Sequence, residues 1–428
     1  MPDWTSRLES LAADAGVPGA VLGIWADGEQ TITPYGVLNR GTGVEVTADS
    51  VFQVGSITKA WTATMIVQLA AEGRLDPDDA VVKLLPEAPI DARITVRQLL
   101  THQSGIDGDL FTDTGRGDDC LERYVALLAE VDQLFAPGTA YSYCNAGFVV
   151  LGRIIEVLDG RSWDESLRAR LIEPLGLPAT VTLPEEAILH RSALGHLADG
   201  SPVQTWNLPR SIGPAGLITQ SAGDLLRFAQ LHLDDPDGLY AGMRDPQVSF
   251  PGGANGVEAI GLAWRLYDWS GRKLFGHDGT TISQLAFLRI DPDARLAVCL
   301  LTNSAYAPAL FDAIASEVFT YYVGAAAPLP PKPLENVRAG DEHIGVYERA
   351  SARLEVLRRD DQLVMTYQAT GDRLAFAEEP IQEYELLPTA PADGNHFVTR
   401  SAPNQPWTPV TFTDTYLFTS GRVTPRTT

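Results

Sequence analysis

Residues 325–334, which hold Pro328, Pro330, Pro331 and Pro333, divide the 428-residue chain into two stretches with different hydrophobic periods. Prolines at that density fix φ and remove backbone donors, so neither a helix nor a sheet runs through the segment, and it reads as a stiff connector. Beyond it, the runs 344–347, 354–357, 363–367, 384–387, 396–399, 410–412 and 416–419 alternate apolar and polar residues between turn formers. That pattern predicts seven or eight short antiparallel strands, which lose their exposed edges when they close into a small barrel.

Before the connector the order is different. Residues 4–15 read as an amphipathic helix, and 19–25 and 31–38 as strands joined at Gly28-Glu29. In 57–75 the residues Ile57, Ala60, Trp61, Met65, Ile66, Leu69 and Ala70 recur at helical spacing ahead of Gly73. A helix this broadly apolar belongs at the centre of a fold. Helical patterns dominate from 96 to about 175, Ser221 to Asp224 read as a capping box opening another helix, strands return at 259–267, 284–290 and 296–302, and a helix follows from 308 to about 322. This order implies an α+β fold: a sheet assembled from both ends of the segment, flanked by helices, with an all-helical insertion. The expected division is 1–325 catalytic, 326–335 linker and 336–428 barrel.

Composition narrows the partners. A formal net charge of −23 opposes the basic face that nucleic acid requires. Cys120, Cys144 and Cys299 are odd in number and widely spaced, which suggests buried thiols and neither a disulfide scaffold nor zinc; no cofactor is expected. The N-terminal residues lack a basic region followed by an apolar core, and no run of about 18 apolar residues occurs, so the expectation is a cytoplasmic protein without membrane attachment. A small molecule or short peptide is the expected substrate, and a homo-oligomer is compatible with the sequence.

Three motifs carry chemistry. Ser56-Ile57-Thr58-Lys59 opens the central helix, where residues three apart share a face and the hydroxyl can meet the amine. A serine hydroxyl needs a base, and lysine serves when burial or a neighbouring cation lowers its pKa; arginine cannot, because it stays protonated. With 28 arginines and only four lysines, S-x-x-K arises by chance roughly 0.2 times in such a chain. A second copy, Ser270-Gly271-Arg272-Lys273, lies between strand-like runs and reads as an exposed hairpin turn without function. The second motif, Tyr143-Cys144-Asn145, follows the turn at Pro137-Gly138; its tyrosine can exchange a proton and its asparagine offers a donor and an acceptor to an amide. The third, His277-Asp278-Gly279-Thr280, reads as a turn before a strand, with a glycine that lets substrate approach the backbone.

S-x-x-K, then Y-x-N, then H-x-G before a late strand resembles the serine β-lactamase-related family, which includes class C β-lactamases, D-alanyl-D-alanine carboxypeptidases, D-aminopeptidases and certain esterases. The stretches Leu99-Leu100-Thr101-His102-Gln103-Ser104-Gly105-Ile106 and Phe135 through Tyr143 are similar to text common there, and the likeness spans about residues 5 to 325. It implies a β-lactamase/transpeptidase-like fold with a lipocalin-like barrel appended. It also implies that Ser56 is acylated, Lys59 and Tyr143 exchange protons, Asn145 orients the substrate amide, His277 stands where lactamases have lysine, Gly279 keeps its place, and the N–H groups of Ser56 and Thr280 form an oxyanion hole. Asp278 departs from the family's small hydroxyl residue. Its charge is expected to repel a substrate carboxylate, which favours an esterase or D-aminopeptidase over a carboxypeptidase or β-lactamase. A non-catalytic scaffold or filament protein is the contrasting possibility.

Overall fold

The computed structural model describes residues 2–251, 256–329, 331–334, 337, 339–376, 380–389, 394–401 and 407–427. The strands Leu296–Thr302 and Leu285–Asp291 are buried along their whole length because both faces of their sheet are covered. Alternate residues serve different cores: Ala297, Cys299 and Leu301 face the helical insertion, whereas Leu296, Val298 and Leu300 face the helices Trp4–Asp14 and Ala307–Val323. The sheet has nine antiparallel strands in the order Val44–Glu45, Glu29–Asn39, Gly19–Ala26, Leu296–Thr302, Leu285–Asp291, Arg272–Thr280, Arg265–Trp269, Val257–Ile260 and Val248–Ser249. Ala20 lies opposite Thr302, so the sheet is indeed closed by strands from the two ends of the segment.

The insertion is built on the helix Thr58–Ala71, whose buried residues include Trp61, stacked on Phe228 at 3.9 Å. Against it pack the helices Asn145–Asp159 and Ala222–Asp234. Between 96 and 175 helices are interrupted by irregular stretches around 101–119 and 131–144, and the second of these delivers Tyr143 to the site. Ser221 caps Ala222–Asp234 by accepting the Asp224 N–H at 3.2 Å, but only half of the expected box forms. The Asp224 carboxylate instead accepts from Ala179 N–H at 2.9 Å and the Thr180 hydroxyl at 2.8 Å.

Two local expectations are corrected. Residues 259–267 are not one strand but parts of two, turned at Ala263 (φ 63°) with Gly261 N–H donating to Trp264 C=O. His277 through Thr280 lie on the strand Arg272–Thr280 and not in a turn. Pairing of His277 with Leu288 and of Gly279 with Ala286 supplies the order that local propensity does not.

Gly345–Arg349 through Arg422–Pro425 form an eight-stranded antiparallel sheet, nearly closed into a barrel by the bridge between Tyr347 and Arg426. Its interior is filled by residues such as Leu354, Val356, Met365, Phe397 and Phe412. The eighth strand, Arg422–Pro425, lies beyond the last run recognised in the sequence. Of the expected linker, Pro330 and Glu335 fall outside the described residues; Leu334 N–H already donates to Pro388 C=O of the barrel at 2.8 Å. All three cysteines are buried and free, and among the described residues no helix is long and apolar enough to cross a membrane.

Candidate active site

Gly55–Ile57 makes one turn of 3-10 helix that runs directly into Thr58–Ala71, so Ser56 and Lys59 sit one turn apart on the same side. The Lys59 Nζ lies 3.0 Å from Ser56 Oγ and donates to the Ala215 carbonyl at 2.7 Å. Lys59 is wholly buried, and among the described residues its amine bonds to the Ser56 hydroxyl and the Ala215 carbonyl and to no carboxylate. Burial, with the Arg422 charge next in weight, drives its pKa well below the ordinary lysine value, which favours the neutral amine that a base requires.

The turn at Ser56 exists because two glycines allow it. Gly55 has φ 51°, and a Cβ there would lie 2.6 Å from Thr280 N. This contact and the one at Gly279, where a Cβ would lie 2.9 Å from Ser56 N, bring the backbone N–H groups of Ser56 and Thr280, the expected oxyanion donors, to adjoining positions. Ser270, by contrast, sits at φ 55° in a hairpin turn, and its Lys273 pairs with Glu258 and Asp268 at the surface.

Tyr143 is carried by the stretch that enters the helix Asn145–Asp159. His102 pins that stretch: its carbonyl accepts from Ser142 N–H at 2.9 Å, its Nδ1 accepts from Cys144 N–H at 3.0 Å, and its ring stacks on Tyr143 at 4.3 Å. Burial pushes the Tyr143 phenol up to about 12, against a lowering effect of the Ser56 hydroxyl. The phenol oxygen is sealed from solvent, and the Ser56 hydroxyl is the side chain that interacts with it. Asn145 lines the cleft, and its Nδ2 donates to Asp109 Oδ1 at 2.9 Å, which fixes the orientation of the amide.

The third motif is divided by the structure. Asp278 and Thr280 line the cleft, whereas His277 is 1% exposed and stands behind its wall. The His277 Nδ1–H donates to the Asp278 carbonyl at 2.6 Å, and burial, then Arg265 and Lys59, hold the ring neutral. It therefore brings no lysine-like charge. The expectation for Asp278 is corrected as well: its carboxylate accepts from Arg265 Nη1 and Arg289 Nη1, each at 2.6 Å. Burial opposes ionisation, but the two guanidiniums prevail and keep its pKa low. The triplet is positive in sum and does not repel a carboxylate.

These side chains open on a cleft of ≈ 820 Å³. One wall comes from the barrel, through Trp407, Phe418, Ser420, Gly421 and Arg422. Arg265, Arg289, Asp109, His102 and Arg422 were not singled out by sequence reasoning. They act across long separations, and of them only His102 stands in a stretch that resembles the family's.

A beta-lactamase family model matches residues 4–319. The chain belongs to the beta-lactamase family. Members and structural neighbours are serine hydrolases, and this chain is one of them. The beta-lactamase-family chain is 42% identical over 373 residues to Penicillin-binding protein 4 of Amycolatopsis lactamdurans, covering 81% of this chain and 97% of that one. To the D-aminopeptidase of Brucella anthropi it is 29% identical over 278 residues, 61% of this chain and 51% of that protein. A crystal structure of SurE with D-Leu superimposes with a TM-score of 0.79 at 27% identity, covering 99% of this chain and 98% of that one, so the likeness includes the barrel.

Proposed function

We infer that the enzyme cleaves esters or amides of D-configured amino-acyl groups through an acyl-enzyme on Ser56. The observation that carries this reading is the 3.0 Å approach of a fully buried Lys59 amine to the Ser56 hydroxyl. As Ser56 Oγ bonds to the substrate carbonyl carbon, its proton passes to the neutral Lys59 amine. The negative charge on the carbonyl oxygen is held by the Ser56 and Thr280 N–H groups. Tyr143, protonated at neutral pH, gives its proton to the leaving group and recovers one from Lys59; water then releases the acyl group by the reverse sequence. The D-configuration is supported by the D-aminopeptidase relative and by the D-Leu in the SurE structure.

A second reading, hydrolysis of a substrate ending in a carboxylate as in D-alanyl-D-alanine carboxypeptidases, draws on one observation. Arg265, Arg373 and Arg422 line the cleft, and Asp278 is neutralised by its partners. Intact-mass spectrometry after incubation with D-amino-acid amides, p-nitrophenyl esters, D-alanyl-D-alanine peptides and penicillins separates the two. The expected result is a D-aminoacyl adduct on the wild type and on Ser270→Ala, and none on Ser56→Ala. An adduct that persists in Ser56→Ala removes the assignment.

A further inference from the structure

Ser420 (φ 51°) and Gly421 (φ 78°) form the two-residue turn between the strands Tyr416–Thr419 and Arg422–Pro425, and this hairpin tip enters the cleft. Both positions are left-handed, as such a tight hairpin turn requires. The Gly421 carbonyl accepts from Tyr143 N–H at 2.8 Å, and Val423 N–H donates to Ser142 Oγ at 3.1 Å, so the hairpin is stitched to the stretch that carries the phenol. Between these two contacts, Arg422 grips Asp109 with both arms, Nη2 to Oδ1 at 2.9 Å and Nε to Oδ2. Asp109 is itself held from the barrel by Arg349 at 3.0 Å and holds Asn145 in turn. The Arg422 guanidinium lies 5.0 Å from the centre of the Tyr143 ring, and Lys59 Nζ lies 4.8 Å from the same centre.

We propose that Arg422, a residue of the C-terminal barrel, is a positioning residue for the acid–base chemistry at Ser56: clamped by Asp109, it fixes Tyr143 and places a permanent positive charge beside Lys59. The proposal rests on the roles given above to Ser56, Lys59 and Tyr143. Arginine suits the task because it stays protonated at every pH at which the enzyme works and fits a carboxylate with two parallel bonds. Of the groups that face Lys59, Arg422 and Arg265 disfavour the ammonium form, while Asp109 and Cys144 favour it. His102 and His277 are held neutral, by burial first and by neighbouring cations after it. Next to burial itself, Arg422 weighs most on the amine.

The test is the pH profile of kcat/KM on a D-amino-acid p-nitrophenyl ester, measured on the full chain for wild type, Arg422→Gln, Arg422→Lys and Asp109→Asn. The rate rises with pH as Lys59 loses its proton. Without the Arg422 charge the ammonium is easier to form, so Arg422→Gln moves the acid limb upward, by about one pH unit at the charge separations typical of such a site. Arg422→Lys keeps the charge and leaves the limb within about 0.3 units, at a rate lowered by the lost fork. Asp109→Asn removes the opposing charge and moves the limb downward. Opposite displacements cannot arise from partial unfolding, and Arg422→Lys, which keeps the charge but not the fork, carries the test where Arg422→Gln fails to fold: an unshifted limb at a lowered rate supports the proposal, and an unchanged rate overturns it. Limbs that coincide in all variants overturn the proposal. A wild type whose labelling by a fluorophosphonate survives Ser56→Ala overturns instead the reading on which it rests.

Discussion

Gly279 and Val54 touch with no space for a side chain between them: a Cβ on Gly279 would lie 1.8 Å from the Val54 carbonyl oxygen and 2.9 Å from Ser56 N. The strand Arg272–Thr280 is therefore seated directly on the turn that presents Ser56.

Gly279→Ala must push that strand and that turn apart. Because Thr280 and Ser56 N–H groups need a common focus, the expected loss in fluorophosphonate labelling of Ser56 is at least about a hundredfold, the scale of losing an oxyanion donor. Unchanged labelling kinetics would show that the contact is not part of the site.

The Asp278 carboxylate pairs with two guanidiniums in a setting where its side chain is 22% exposed. Asp278→Thr leaves Arg265 and Arg289 uncompensated and is expected to destabilise the fold by about 3 kcal/mol, read from chemical denaturation. The folded-state pKa of Asp278 is depressed, so its contribution is present in full above the ordinary aspartate value of 3.8 and is lost as pH falls through the folded value. The variant accordingly loses less stability than the wild type as the pH falls below the ordinary aspartate value. Equal acid sensitivity in the two proteins would contradict the pairing.

Removal of the barrel is expected to disable the site and not merely to shorten the chain. A protein ending at Ala326 lacks the Gly421 carbonyl that holds Tyr143 N–H and both guanidiniums on Asp109, and Asp107 loses the Ala350 N–H it accepts from. Labelling at Ser56 in such a protein should fall at least about tenfold, from loss of orientation alone. Labelling at the full-length rate would separate the barrel from the chemistry.

The sequence was most legible where order is local or periodic. The strand 296–302, the helix carrying Trp61 and the barrel strands 396–399 and 416–419 could be read from apolar spacing because the burial that produces the spacing also orders the element. Ser56 and Lys59 could be paired because three residues of helix bring them together. Residues 276–280 gave no strand signal, since two glycines, a histidine and an aspartate are ordered there only by their neighbours. The charge of Asp278 was legible but its compensation was not, since Arg265 and Arg289 reach it from other strands. Arg422 was one arginine among 28 until the fold set it against Asp109.

The separation of Asp109 and Arg422 by 313 positions also sets the order in which the molecule can become reactive. A chain emerging from the ribosome folds from its N-terminal end, so Ser56, Lys59 and Tyr143 can find one another while the barrel is still being made. Until residue 426 has emerged to bridge Tyr347, the barrel stays open and the hairpin tip has no support, so a translation product truncated before it carries Ser56 and Lys59 without the hairpin's hold on Tyr143. The fold thereby makes the surroundings of Tyr143 wait on closure of a barrel encoded far downstream.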